Sequence, residues 1–382
     1  MARALRIARY GLYTTDPNPR VGCVLVRDGE IVGEGWHERA GEAHAEIHAL
    51  AQAGERARGA TAYVTLEPCC HHGRTPPCTD ALIAAGVARV VAAMVDPNPK
   101  VGGEGLARLK AAGITVESGL MQAEAEALNH GFIMRMRHGR PYVRCKLAMS
   151  LDGRTAMANG ESKWITSQTA RHDVHRLRAR SSAIMTGAGT VLADDPALTV
   201  RLDGSDQVQG IRQPLRVVLD THLRTPPQAR LLDAPGRALI VTASRNQELH
   251  DRLARDNVTV VTLPEAAPAH PALAALVHPW TSQNGGIDLP AVMRHLAAQQ
   301  INEVLLEAGP VLNGAMLRAG LIDELIIYMA PHLMGDAARG LFHLPGLGSM
   351  DQRIALDILD IRAVGKDWRI TASVVSHTKW DK

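Results

Sequence analysis

Short apolar runs alternate with amphipathic stretches along the first third of the chain. Val21 to Val26 is apolar, Asp28-Gly29 reads as a tight hairpin turn, and Ile31 to Trp36 returns as the partner strand. Ala43 to Ala53 is Ala-rich and predicts a helix closed by Gly54. Ala62 to Leu66 predicts a strand that ends at Glu67-Pro68. Thr79 to Ala85 predicts a helix stopped by Gly86, and Arg89 to Val95 a strand stopped by Asp96-Pro97. Alternation of this kind predicts an α/β layer fold.

A polar Gly/Pro break at His138-Gly139-Arg140-Pro141 predicts a boundary, giving one domain over 1–140 and another over 141–382. The strand that follows places Val143, Cys145, Leu147 and Met149 on one face. Arg144, Lys146, Ala148 and Ser150 fall on the other, a polar face of the kind strand edges carry. Further strands are predicted at Leu215 to Leu219, Ala238 to Val241, Val258 to Leu263, Glu303 to Leu306 and Leu325 to Tyr328, with helices at about 168–180 and 290–299. Helical spacing sets Arg171, His175 and Arg178 on an exposed stripe beside an apolar one of Ala170, Val174 and Leu177. Pro264 to Gly286, rich in Ala, Pro and His, reads as a surface excursion.

Composition narrows the function classes. At 382 residues the chain has room for two domains, and 46% hydrophobic residues can fill their cores. A net charge of +3 and 3% aromatic residues argue against nucleic acid as a partner. With no apolar run of about 18 residues, a membrane partner is not expected either. The start lacks an apolar signal core, so a cytoplasmic location is expected. Of five cysteines, three lie between 69 and 78, a cluster that points to metal or catalysis before disulfides.

His44-Ala45-Glu46, Pro68-Cys69 and Cys78 supply one imidazole, two thiols and a carboxylate. Three such ligands leave a fourth tetrahedral position for water, the pattern of a catalytic zinc site, and zinc brings the pKa of bound water toward ~7. Glu46 is then spare for proton transfer. A structural zinc with a fourth ligand from Cys70, His71, His72 or His48 is the alternative, and it would leave Glu46 without a task. Asp96-Pro-Asn-Pro99 reads as a turn only. Two glycine-bearing turns follow strands in the second domain, at Gly187-Ala-Gly-Thr190 and at Glu307-Ala-Gly-Pro-Val-Leu-Asn-Gly314, and such turns let backbone N–H groups approach a phosphate. Lys146 and Asp152 are possible proton-relay groups, and Asp195 before Pro196 reads as a turn residue.

His44-x-Glu46 with Pro68-Cys69 and a later cysteine resembles the cytidine-deaminase-type zinc hydrolases, although eight residues rather than two separate Cys69 from Cys78. Glu67-Pro-Cys-Cys-His-His-Gly-Arg-Thr-Pro-Pro-Cys78 sharpens the likeness. Together with Pro17-Asn-Pro-Arg-Val-Gly-Cys23, Gly35-Trp-His37 and Gly41-Glu-Ala-His-Ala-Glu46, it resembles the deaminase half of the bifunctional riboflavin-biosynthesis deaminase-reductases. Lys146-Leu-Ala-Met-Ser-Leu-Asp-Gly153, Gly160-Glu-Ser-Lys-Trp-Ile165, Gly189-Thr-Val-Leu-Ala-Asp-Asp-Pro-Ala-Leu198 and Glu307-Ala-Gly-Pro310 resemble the reductase half, a domain similar to dihydrofolate reductase.

The resemblance implies a cytidine-deaminase-like three-layer domain followed by a dihydrofolate-reductase-like α/β domain. It implies one Zn2+ on His44, Cys69 and Cys78, Glu46 as the catalytic proton shuttle, Asn18 near the pyrimidine, and His71 and Arg74 near the ribose phosphate. For the reductase it implies NADPH at Ala148, Trp164, Thr190 and Asp194 and along the loop Gly309, Pro310, Val311, Leu312, Asn313, Gly314 and Ala315. The phosphoribosyl pyrimidine would touch Ser162, Arg178, Leu198, Arg201 and Glu307, with both arginines on its phosphate. The expected activity is zinc-hydroxide deamination of 2,5-diamino-6-(5-phosphoribosylamino)pyrimidin-4-one, then NADPH reduction of its ribosyl group to ribityl, in a homodimer or homotetramer. A nucleoside or tRNA deaminase fused to an unrelated reductase is the alternative, and a metal-dependent scaffold a more distant one.

Overall fold

The structure, a computed structural model, describes residues 1–71, 76–99, 101–202, 211–265 and 286–375. It divides into two compact units, one holding Met1–Arg140 and the other most of the chain from Pro141 onward.

The first unit contains α1 (Ala2–Ala8), β1 (Gly22–Arg27), β2 (Glu30–Trp36), α2 (Ala45–Ala53), β3 (Thr61–Val64), α3 (Cys78–Ala84), β4 (Arg89–Ala92), α4 (Glu104–Ala111), β5 (Thr115–Ser118), α5 (Gln122–Leu128) and α6 (His130–His138). The sheet order is β2-β1-β3-β4-β5. β1 pairs antiparallel with β2 and β3, and β3, β4 and β5 run parallel. The hairpin turn has both Asp28 and Gly29 at positive φ, the geometry a two-residue connection needs. Alternate residues of β1 serve opposite layers. Cys23 and Leu25 pack with α2, α3 and α4, whereas Val24 packs with α1. This is a three-layer helix–sheet–helix arrangement.

The second unit contains β6 (Tyr142–Ser150), β7 (Arg154–Ala156), α7 (Gln168–Arg180), β8 (Ala183–Gly187), α8 (Ala188–Asp194), β9 (Leu215–Leu219), α9 (Arg230–Asp233), β10 (Ala238–Thr242), α10 (Gln247–Leu253), β11 (Val258–Thr262), α11 (Leu289–Ala298), β12 (Glu303–Leu306), α12 (Pro310–Arg318), β13 (Glu324–Ala330), β14 (Arg339–Gly340), β15 (Leu356–Val364) and β16 (Asp367–Val374). Its sheet order is β11-β10-β9-β8-β12-β6-β13-β16-β15. Pairings from β11 through β13 are parallel, and β16 and β15 extend the sheet antiparallel. α11 and α12 cover one face, α8, α9 and α10 the other at the β9–β10 end, and α7 the other above Leu305 and Tyr328.

One feature corrects the sequence reading. β6 is a central strand between β12 and β13, not an edge. The charge on its polar face is structural, with Arg144 buried in ion pairs with Glu303 and with Glu324, the latter at 3.0 Å. The Pro264–Gly286 excursion falls largely on 266–285, outside the described residues.

Candidate functional sites

In the first unit the site is assembled where β2, β3 and the helix starts meet. The chain turns from β2 into α2 with His44 at the N-cap position. Gly35 lets that helix lie against the strand, since a Cβ there would sit 2.4 Å from Ala45 O. Cys69 follows β3 and Cys78 opens α3. His44 Nδ1 lies 3.3 Å from Cys78 Sγ and 3.6 Å from Cys69 Sγ, and all three ligand atoms fall within 4.8 Å of one another. A tetrahedral zinc with bonds of about 2.0 Å to nitrogen and 2.3 Å to sulfur sets N···S edges of about 3.5 Å, so the donor set fits that ion.

The surroundings suit an anionic ligand set beside a proton carrier. The side-chain hydrogen bond from Cys78 pulls the Cys69 thiol well down, helped by His44, and Cys78 keeps the proton of the pair. Burial pushes the Glu46 carboxyl up against the opposing pull of His44, and its Oε2 has no hydrogen-bond partner. A buried carboxyl of raised pKa with one oxygen unclaimed is equipped to move a proton.

Two residues to which the motifs gave no task support this site. His37 accepts at Nε2 from Asn18 Nδ2 at 3.0 Å and donates from Nδ1 to Ala43 O at 3.0 Å, a tautomer assigned from that network. Burial lowers its pKa, so the ring is neutral, and Asn18 is left with Oδ1 to accept from a ligand. Glu67 is buried and its carboxylate accepts four backbone N–H groups, from Asp96, Gly103, Gly105 and Leu106, at 2.8–3.1 Å. It ties the start of α4 to the segment carrying Cys69. The only sequence signal was the quoted Gly35-Trp-His37 and Glu67-Pro68 themselves. Asp96 is more than a turn residue: burial raises its carboxyl to about 6, with Glu67 and His71 among the neighbouring charges. Arg74 and His72 lie outside the described residues.

In the second unit a cavity of about 1540 Å³ opens at the carboxyl ends of β8, β9 and β12. Strand order reverses there: the chain runs from β8 outward to β11, then returns to β12 on the other side of β8. That is the switch point at which open parallel sheets bind ligands. The volume exceeds what one drug-sized ligand fills. Ala148, Trp164, Thr190 and Asp194 line it, as do Gly309, Pro310, Val311, Leu312, Asn313 and Ala315. Ser162, Arg178, Leu198, Arg201 and Glu307 line it too. Gly314 does not. A Cβ there would meet His343 O at 2.1 Å, so this glycine serves close packing of α12 rather than the cavity.

Arg178 is corrected from an exposed reader to a buried anchor. Its Nε and Nη2 donate to Glu307 at 2.6 and 2.9 Å, and its Nη1 to Thr199 O at 3.0 Å. Burial alone would raise Glu307, but Arg178, with Lys146 beyond it, overcomes that and holds the carboxyl at about 2. Lys146 lines the cavity with its pKa lowered by burial. Asp152 does not join it. Its carboxylate accepts the Ser150 hydroxyl and the N–H groups of Met334 (3.1 Å) and Gly335 (2.8 Å), a loop anchor. Asp195 sits at positive φ after α8, as a turn residue should. A shallower depression of about 530 Å³ beside Arg3, Glu34 and Gln52 contains no metal-ligating imidazole or thiol.

The two sites define a bifunctional enzyme, with a deaminase-type metal centre in one unit and a reductase cavity in the other. Family comparison agrees. The cytidine and deoxycytidylate deaminase zinc-binding region matches residues 1–94, and the RibD C-terminal domain matches residues 141–370. The chain belongs to the RibD family of bifunctional riboflavin biosynthesis proteins. It is 56% identical to riboflavin biosynthesis protein RibD of Escherichia coli K12 over 374 residues, covering 96% of each chain. It is 47% identical to the Haemophilus influenzae protein, covering 97% of this chain and 95% of that one. Among solved structures, Acinetobacter baumannii RibD superposes with a TM-score of 0.87 at 45% identity over 98% of both chains. A Thermotoga maritima diaminohydroxyphosphoribosylaminopyrimidine deaminase/5-amino-6-(5-phosphoribosylamino)uracil reductase gives 0.82 at 31% identity, over 98% of this chain and 97% of that one.

Proposed function

We propose that this chain deaminates 2,5-diamino-6-(5-phosphoribosylamino)pyrimidin-4-one in its first domain, residues 1–140, and reduces the ribosyl group of the product in its second, residues 141–382. The convergence of His44, Cys69 and Cys78 beside the unpartnered Oε2 of Glu46 carries the reading.

His44 Nδ1, Cys69 Sγ and Cys78 Sγ would hold zinc, which when bound supplies a Lewis acid that makes water a nucleophile at neutral pH. Glu46 takes a proton from the attacking water at Oε2 and returns it to the departing nitrogen, so water adds at C2 and ammonia leaves. Asn18 Oδ1, fixed by the His37 contact, accepts an N–H of the pyrimidine.

In the second domain Ala148, Trp164, Thr190 and Asp194 and the start of α12 would hold NADPH, which when bound supplies the hydride. Ser162, Leu198 and Arg201 would hold the phosphoribosyl substrate. Arg201 is exposed, with no partner for its guanidinium among the described residues, so it is free to take the phosphate. Arg178 acts through Glu307, keeping its carboxylate charged and aimed.

A homodimer or homotetramer suits the free edge of the larger sheet. On β15, Ile358, Leu359 and Ile361 are more than half exposed, an apolar edge that a second copy would cover. No helix among the described residues is long and apolar enough to cross a membrane, and a cytoplasmic location suits an enzyme of this kind.

The reading is tested by supplying the zinc-loaded chain with the diaminopyrimidine phosphate and NADPH. Ammonia should appear first, and NADPH oxidation should follow its release. Oxidation that precedes ammonia, or runs without substrate, would contradict it.

A further inference from the structure

The cavity in the second unit is lined by two unlike groups of residues carried on different elements. One group holds Trp164, His175, Arg201 and Glu307, with the residues assigned above to the phosphoribosyl substrate among them, and Arg201 N donates to His175 Nδ1. The other holds Asp194 at the end of α8, Thr221 and Arg224 after β9, and Arg230 at the start of α9. The second group is one packed assembly, since Val191 of α8, Leu223 of the loop after β9, and Leu231 and Leu232 of α9 share a hydrophobic cluster. A dinucleotide laid across the β8–β12 switch point with its reactive ring beside Glu307 after β12 extends past β8 toward the group after β9, which receives its adenosine ribose.

Carboxylate and cations in that group have different meanings. A lone carboxylate accepts from ribose hydroxyls and suits NADH, whereas a guanidinium accommodates a 2′-phosphate. Here Asp194 is accompanied by two arginines. Neither the Arg224 nor the Arg230 side chain has an ion pair or hydrogen bond among the described residues, although both are exposed on the cavity wall. Of the other cavity arginines, Arg171 lies 4.5 Å over the Trp164 ring, Arg178 is paired with Glu307, Arg318 donates to His343 O, and Arg201 is taken by the substrate phosphate in the reading above.

Both free arginines also stand on fixed backbone. The buried Asp220 carboxylate accepts from Thr225 N at 2.6 Å and Thr225 Oγ1 at 2.7 Å, closing the loop that carries Arg224. Arg230 N donates to Asp195 Oδ1 at 2.8 Å, tying α9 to the end of α8. A cation on a preorganised loop loses less freedom on binding an anion.

We propose that Arg224 and Arg230 form the site for the 2′-phosphate of NADPH and set the choice of NADPH over NADH. This rests on the NADPH reading above and adds its determinant. The test is calorimetric binding of 2′,5′-ADP and of 5′-ADP to the full-length chain, as wild type and as the Arg224→Ala/Arg230→Ala double variant, with unfolding temperature as a control for folding. The wild type should prefer 2′,5′-ADP. The double variant should lose that preference by about tenfold or more, with 5′-ADP affinity and unfolding temperature unchanged. Arg224→Lys should retain part of it, because charge remains without the planar fork. A preference undiminished in the double variant would overturn the assignment of these arginines while leaving NADPH as the cofactor. No preference in the wild type would overturn the NADPH reading, and the assignment with it.

Discussion

Arg178 and Glu307 face each other in a two-point ion pair, Nε to Oε1 at 2.6 Å and Nη2 to Oε2 at 2.9 Å, in the wall of the reductase cavity. Both side chains are nearly buried, at 14% and 12% exposure, so solvent screens the pair little. Holding Glu307 at about 2 instead of 4.5 corresponds to about 3 kcal/mol of stability. Because the folded pKa is depressed, that contribution is present above about pH 4.5 and is lost as pH falls toward 2. Arg178→Met should therefore cost about 3 kcal/mol or more at pH 7, with a smaller difference at pH 3, by urea unfolding. Equal losses at both pH values would count against the pair.

Glu67 should matter for the metal site without touching it. Its carboxylate is the shared acceptor for four backbone N–H groups. Glu67→Gln turns an amide N–H₂ toward two of those donors, and hydrogen bonds to a charged acceptor contribute about 1.5–3 kcal/mol each. A loss of about 3 kcal/mol in thermal unfolding, with weaker zinc retention, is expected. Unchanged stability would show that the loop is held by other contacts.

Two glycines of the reductase unit should behave oppositely. Gly314→Ala places a Cβ 2.1 Å from His343 O, backbone that can yield only by moving α12, and should cost about 1–3 kcal/mol. At Gly189 no heavy atom lies within 4 Å of the added Cβ. Gly189→Ala should keep its unfolding temperature and weaken NADPH binding instead, since the residue lines the cavity. Melting curves with fluorescence titration of NADPH separate the two outcomes.

The buried Arg144 pairs with Glu303 and Glu324, with Arg180 Nε 3.6 Å from Glu303. Arg144→Met takes the guanidinium from Glu324 and leaves Glu303 only the longer Arg180 contact, and should cost about 3–5 kcal/mol. Removing the acids as well (Arg144→Met/Glu303→Leu/Glu324→Leu) should recover much of that. A triple variant no better than the single one would mean the cost is packing rather than charge.

Much of this was legible in the chain. Leu215–Leu219 and Glu303–Leu306 are short Val/Leu-rich runs, each with a single charged residue, Arg216 or Glu303, and the structure bounds them at the same residues as buried parallel strands. The chemistry of His44, Glu46, Cys69 and Cys78 was visible because few residue types bind metal. What escaped depends on distant partners. Arg144 could be placed on a polar strand face but not in its buried ion pairs, because its counter-charges lie 159 and 180 residues away. Glu67 looked like a motif residue without a role because its partners are backbone groups 29 to 39 residues on. β15 was missed because a bulge between Ile358 and Asp360 breaks its two-residue period and it is exposed almost throughout.

The central claim is two separate active sites in one chain, with Glu46 the proton carrier of the first. Its most direct measurement is ammonia release by zinc-loaded Glu46→Gln, alongside NADPH oxidation by the same variant given the already deaminated pyrimidine. Ammonia release should fall by about a thousandfold or more while zinc content and NADPH oxidation stay at wild-type levels. Ammonia release near the wild-type rate would contradict the role of Glu46, and loss of both activities together would contradict the separation of the sites.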